Sequence, residues 1–119
     1  MIDHTRLKVA DFAKSKSFFQ SALLPLGYKL LRELPETAGF GDRERPDFWI
    51  VPGKAQQTHV AFAAANRKTV NEFYKAAIAA GGRDNGGPGL RPHYHPDYYA
   101  AFVFDPDGNN IEAVCRHAE

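Results

Sequence analysis

Five pairs of matched residues in this chain stand 55 positions apart: His4 with His59, Asp11 with Asn66, Phe18 with Phe73, Phe19 with Tyr74, and Gly27 with Gly82. They include a helix cap, the aromatic pair of a helix face and a helix-ending glycine, in the same order both times. Two copies of one strand–helix–strands unit explain a single offset across all of them. With 119 residues in all, the two copies belong to one domain.

The element signals follow the same plan. Residues 2–9 alternate as a strand, and Asp11 caps a helix on which Phe12, Ser15, Phe18, Phe19 and Ala22 recur at helical spacing. Pro25 and Gly27 stop it, and 28–34, 38–41 and 47–51 read as strands. In the second copy, 57–64 is a strand. Asn66 caps a helix carrying Val70, Phe73, Tyr74, Ala77 and Ile78, and Gly81-Gly82 ends it. A loop rich in Gly and Pro (85–97) leads to strand 98–104, the turn Asp105-Pro106-Asp107-Gly108 and strand 110–115. The units then span about 1–53 and 56–117 of a single domain, 1–119. The register slips after Gly82. If the last strands correspond, Glu112 matches Trp49 at an offset of 63, with eight extra residues in and after the Gly/Pro loop.

Alternation places the chemistry. In the first strand Thr5, Leu7 and Val9 suit a helix-facing side, which leaves His4, Arg6 and Lys8 on the other. In strand 57–64, His59 shares the face opposite Val60 and Phe62, and in the last strand Glu112 lies opposite Ile111, Ala113 and Cys115. His4, His59 and Glu112 are thus one ligand-type side chain on the more polar face of each of three strands. Two imidazoles and a carboxylate make an open site for a divalent ion such as Fe, Mn, Zn or Ni. The plainer alternatives are ordinary surface histidines and a Glu112–Arg6 ion pair.

Arg6 has the fork to hold an anionic group of a substrate. Trp49 is either a stacking surface for an apolar part or a core residue. The segment from Leu90 to Tyr99 is dense in hydrogen-bonding aromatics. It reads as a wall over the site, with His93 or His95 as proton carrier and Tyr99 as a substrate contact, or as a Pro-stiffened surface loop.

Fifteen Lys and Arg against fourteen Asp and Glu argue against nucleic-acid and membrane-surface partners. No apolar run approaches the roughly 20 residues of a membrane span, and no signal peptide is visible. A single cysteine, Cys115, allows no internal disulfide or thiolate zinc cluster, so a reduced cytoplasm is the expected setting. Open sheet edges favour a homodimer.

The run His4-Thr5-Arg6-Leu7-Lys8-Val9-Ala10-Asp11, the duplicated unit, and Asp105-Pro106-Asp107-Gly108-Asn109-Asn110-Ile111-Glu112 together resemble the vicinal oxygen chelate superfamily. That group includes glyoxalase I, fosfomycin-resistance proteins, extradiol dioxygenases and bleomycin-binding proteins. The resemblance spans essentially the whole chain, and the segment Asp105-Pro106-Asp107-Gly108-Asn109-Asn110-Ile111-Glu112 is its most specific part. It implies an α+β fold of two βαβββ modules, a curled mixed sheet forming a cup with the helices outside. It also implies metal ligands at His4, His59 and Glu112, and a homodimer, in some members with modules exchanged between chains. The implied function is metal-dependent catalysis on a small molecule with adjacent oxygens, of lyase, dioxygenase or transferase type. The alternative is a metal-free binding protein of the bleomycin-resistance type. Glyoxalase I itself carries a fourth ligand, usually a carboxylate, where this chain has Trp49, so glyoxalase I activity is not expected.

Overall fold

The computed structural model describes all 119 residues. Its elements are β1 (Thr5–Val9), α1 (Phe12–Ala22), a short 3-10 turn (Leu24–Leu26), β2 (Lys29–Leu34), β3 (Thr37–Gly41), β4 (Phe48–Pro52), β5 (His59–Ala63), α2 (Arg67–Ala79), β6 (Arg83–Asp84), β7 (Gly89–Leu90), β8 (Tyr99–Phe104) and β9 (Asn110–Cys115). Both predicted caps form. The Asp11 carboxylate accepts from the Lys14 N–H at 3.1 Å, and the Asn66 side-chain oxygen accepts from the Thr69 N–H at 2.8 Å. Each satisfies one of the donors that a helix start leaves without a partner.

The strands form two mixed sheets. The first runs β1-β4-β3-β2 and the second β5-β9-β8, with β6 and β7 both pairing β8. In each, the first and last strands of the half are parallel neighbours, β1 with β4 and β5 with β9. Arg6 lies opposite Trp49 and Ala61 opposite Glu112. Ala61 is Arg6 shifted by 55 and Glu112 is Trp49 shifted by 63, so both offsets are realised as sheet register.

The halves differ where the sequence slips. In the first, β2 carries a bulge between Leu30 and Arg32. In the second, the corresponding strand is broken into β6 and β7 around Gly86, which adopts φ 132°. That break lies in the segment expected to be all loop, and β7 falls inside it. The glycines at 27 and 82 also answer different needs. Gly27 ends the 3-10 turn at φ 84°. Gly82 has no positive φ, and a β-carbon there would come within 2.8 Å of the Ala77 carbonyl oxygen and 2.9 Å of the Phe18 ring. The left-handed residue after α2 is Gly81 instead, at φ 102°.

Leu7, Val9, Phe18, Phe19, Phe40, Phe48 and Ile50 from the first half share one buried cluster with Phe62, Val70, Phe73, Val103 and Ile111 from the second. The helices pack on each other as well as on the sheets. Phe62 is the joint: its ring stands edge-on to Phe48 at 5.2 Å and to Tyr28 at 5.3 Å. The Ala10 N–H adds a polar tie, pointing at the Asp107 carboxylate at 3.3 Å. Cys115 is buried in the same cluster. No helix is long and apolar enough to cross a membrane.

Removing the Phe62 ring leaves a cavity between the halves. Phe62→Ala is expected to cost roughly 3–5 kcal/mol and to lower the urea midpoint of unfolding. The two halves should still melt in one transition, read by circular dichroism and Trp49 fluorescence together.

Candidate functional site

With the helix-facing side of each sheet committed to the core, the side chains of opposite parity remain for other work. On the second sheet these are His59 on β5, Glu112 on β9 and Phe102 on β8, where Glu112 lies between Ala61 and Phe102. Glu112 is 1% exposed. Its Oε1 lies 2.8 Å from His59 Nε2, and its Oε2 accepts a hydrogen bond from the Tyr98 hydroxyl. Tyr98, Ala100 and Val114 form a small apolar cluster over this face, with Phe102 against it. The Tyr94 ring (5.1 Å) and the Arg116 guanidinium (4.9 Å) flank the Tyr98 ring. A buried carboxyl needs such partners, because desolvation without them is costly. Burial, followed by the hydrogen bond to Glu112, pushes the Tyr98 phenol up to about 12. The His59 side chain is 52% exposed, so the pair is a buried carboxylate with an imidazole at its mouth.

His4 is elsewhere. It precedes β1, its Nδ1 is 2.7 Å from the Asp3 carboxylate, and it lines a groove of about 580 Å³ with Arg6, Arg32 and Trp49. His59 instead opens on a groove of about 450 Å³ between the halves, with Tyr28, Phe48 and Phe62. Within one chain, no three His, Cys, Asp or Glu side chains are grouped so as to hold a metal ion. Two of the three expected ligands therefore meet and the third does not. The two that meet are spaced as adjacent ligands would be, since donors about 2.0–2.2 Å from one ion and at right angles lie about 3 Å apart.

Arg6 and Trp49 are neighbours on the first sheet. The remaining residues singled out from the sequence make no hydrogen bond to Glu112, whose partners are His59 and Tyr98. His93 stacks on Tyr94 at 4.2 Å, and His95 Nδ1 accepts from the Asp97 N–H at 3.1 Å within the turn. Neither histidine hydrogen-bonds to His59 or Glu112. Tyr99 faces the helix side, where its hydroxyl donates to Asn71 and Arg67 lies over its ring. The tyrosine that reaches Glu112 is Tyr98. Strand parity points to it: Phe102 and Ala100 share the Glu112 face, and two further steps back give residue 98.

The family model of the Glyoxalase/Bleomycin resistance protein/Dioxygenase superfamily matches residues 1–113. The chain belongs to that superfamily. Its fold is similar to a glyoxalase/bleomycin resistance protein from Albidiferax ferrireducens T118, at TM-score 0.83 and 28% identity, covering 97% of this chain and 98% of that one. It is also similar to a glyoxalase/bleomycin resistance protein/dioxygenase family enzyme from Burkholderia phytofirmans PsJN, at TM-score 0.75 and 16% identity over 98% of both chains. A lactoylglutathione lyase from Agrobacterium tumefaciens gives TM-score 0.73 at 18% identity, covering 97% of this chain and 92% of that one. No curated protein matches the chain. Glyoxalase-superfamily membership fits the α+β plan of two βαβββ halves in two mixed sheets.

The raised Tyr98 phenol makes a spectroscopic prediction. Its folded-state value lies above the ordinary value of about 10, so folding favours the neutral phenol. The resulting stabilisation is complete below about pH 10 and is lost as pH rises toward about 12. In an alkaline absorbance titration, Tyr98→Phe should remove one tyrosine from the late-titrating phase and leave the early phase intact.

Proposed function

We propose that the protein is a metal-dependent enzyme of the glyoxalase type, acting on a small molecule with adjacent oxygens. The observation that carries this reading is the His59–Glu112 pair. It places an imidazole nitrogen and a buried carboxylate oxygen 2.8 Å apart, opening toward solvent on a face that the core does not use. These two and His4 make a donor set suited to a divalent Fe, Mn, Zn or Ni ion. A single chain does not assemble the three, so the proposed working unit is a homodimer in which His4 of a second copy completes the set. The support is that His4 stands free of the core, on the open side of the first sheet. A bound ion would act as a Lewis acid toward two neighbouring oxygens of the substrate.

The chain's own groups have definable parts. Tyr98 holds Glu112 in place by donating to Oε2, which leaves Oε1 for His59 and the open side. His59 presents Nε2 to that same oxygen, and a proton on this nitrogen must leave before it can act as a ligand. Trp49 at the position aligned with Glu112 supplies no fourth donor, so glyoxalase I turnover of methylglyoxal with glutathione is not expected.

A second reading has one observation in its favour. Both Glu112 oxygens already have partners, which suits a metal-free protein that binds a small molecule and uses Glu112 only to fix its wall. Metal analysis separates the two, and mixed variants test the shared site. His4→Ala and Glu112→Gln chains should each fail to retain metal alone. Refolded together in equal amounts, random pairing should restore about a quarter of the full metal content, because half the dimers carry one intact site of two. No restoration in a stable dimer would overturn the shared site, and a metal-free parent protein after metal loading would favour the binding protein.

A further inference from the structure

The groove on the open face of the first sheet has a floor that the superfamily's metal chemistry does not account for. Along one row of the sheet, the register places Arg6 beside Trp49, Trp49 beside Gly39 and Gly39 beside Arg32. Gly39 is the reason the row can be flat. A β-carbon there would sit 2.8 Å from Trp49 Cζ3 and 2.8 Å from Pro46 Cβ, so the indole lies across the bare glycine and against the proline. The half-buried ring therefore has one edge fixed while it lines a groove of about 580 Å³ with Leu34, Thr37 and Pro46. An arginine stands at each end of the row. Three interstrand steps put them roughly 14 Å apart at the backbone, within reach of a molecule about one aromatic ring long.

Neither Arg6 nor Arg32 makes a salt bridge or a side-chain hydrogen bond. The other charged groups along the groove are Asp3, His4, Glu44 and Arg45. Asp3 is taken by His4 at 2.7 Å and lies 3.8 Å from Arg45, which leaves Glu44 as the single acidic group without a partner facing two free guanidiniums. An aromatic floor with a planar, bidentate donor at either end suits a flat anion: the ring stacks on the indole and the carboxylates pair with the forks.

We propose that this groove binds a planar aromatic carboxylate, stacked on Trp49 and held through its acid groups by Arg6 and Arg32. Naming that ligand class as the substrate rests on the function proposed above, because His4 borders the same groove. The binding itself does not.

Trp49 is the only tryptophan in the chain, so its fluorescence reports on this groove alone. Terephthalate added to the full-length protein should quench it saturably. Terephthalamide, with the ring but not the charges, should bind about tenfold more weakly, and so should succinate, with the charges but not the ring. Arg6→Gln and Arg32→Gln, both at exposed positions, should each weaken terephthalate about tenfold while thermal unfolding stays at the parent value. Added salt should weaken it further. Equal quenching by terephthalate and terephthalamide, undiminished binding in both arginine variants, or no saturable quenching at all would overturn the proposal. The same titration on Glu112→Gln protein in a chelator keeps the two claims apart. Quenching retained there supports the groove whatever the metal analysis shows. Quenching lost there would assign the binding to the metal and sink the groove, leaving the metal reading intact.

Discussion

The shared core between α1 and α2 is the constraint from which the rest of the architecture follows. Each sheet has one face that can be covered by its own helix, and a helix of 11 or 13 residues cannot enclose a core alone. By packing the helices on each other, the chain joins two small apolar layers into one cluster of twenty buried residues. Phe62 matters within this because it comes from the edge strand of the second sheet and meets Phe48 and Tyr28 from the first. The cost is geometric. Once both sheets turn the same side toward the helices, the sides bearing His4, Arg6 and Trp49 in one half and His59 and Glu112 in the other have no role in enclosing that core. This frees them for chemistry, and it also keeps the three prospective ligands from meeting in one chain.

The treatment of Glu112 shows how local forces shape the second of these faces. A carboxyl group at 1% exposure needs hydrogen-bond partners, because burying it without them is costly. His59 and Tyr98 supply them from different directions, one from a partly solvated edge strand and one from beneath an apolar cap. Tyr98 can do so because the turn before β8 folds back over the sheet, with the Arg91 N–H donating to the Tyr98 carbonyl and the Tyr98 N–H to the His95 carbonyl. The aromatic segment 91–98 is therefore tied to the site through one residue. His93 stacks on Tyr94, and His95 accepts from the Asp97 N–H within the same turn.

Much of this could be read from residue spacing, and the reasons are physical. Caps, aromatic helix faces and strand parity are local properties. Asp11, Asn66, Phe18 and Phe73 announce their elements without reference to the rest of the chain. The offset of 63 between Trp49 and Glu112 was legible because parallel pairing to the first strand fixes register in both halves alike. What spacing could not carry was anything set by contact between the halves. Gly27 and Gly82 look equivalent in the repeat, yet one answers a backbone angle and the other the approach of Phe18 from the opposite half. Face assignment put His4, His59 and Glu112 on corresponding sides of their strands, but a face does not specify what stands opposite it. Tyr98 lies within the strand read as 98–104, on the parity of Ala100 and Phe102, so its side was legible; its reach to Glu112 depends on the turn before β8 folding back over the sheet.

Duplication gives a chain two equivalent positions on its last strands, and an acid at both would place a carboxylate on each open face. Here the positions have diverged. Glu112 is held between Tyr98 and His59, while Trp49 lies over Gly39, and that glycine leaves room for an indole and for no side chain of its own. An aromatic ring there removes a donor, and it also replaces a hydrated charge with a flat apolar surface between two arginines. On the function proposed above, the first half keeps one metal-type donor, His4, and adds the recognition groups around Trp49, while His59 and Glu112 stand on the second. The proposed use of both faces at one site would require the pairing of two chains, because the core packing of a single chain keeps them apart.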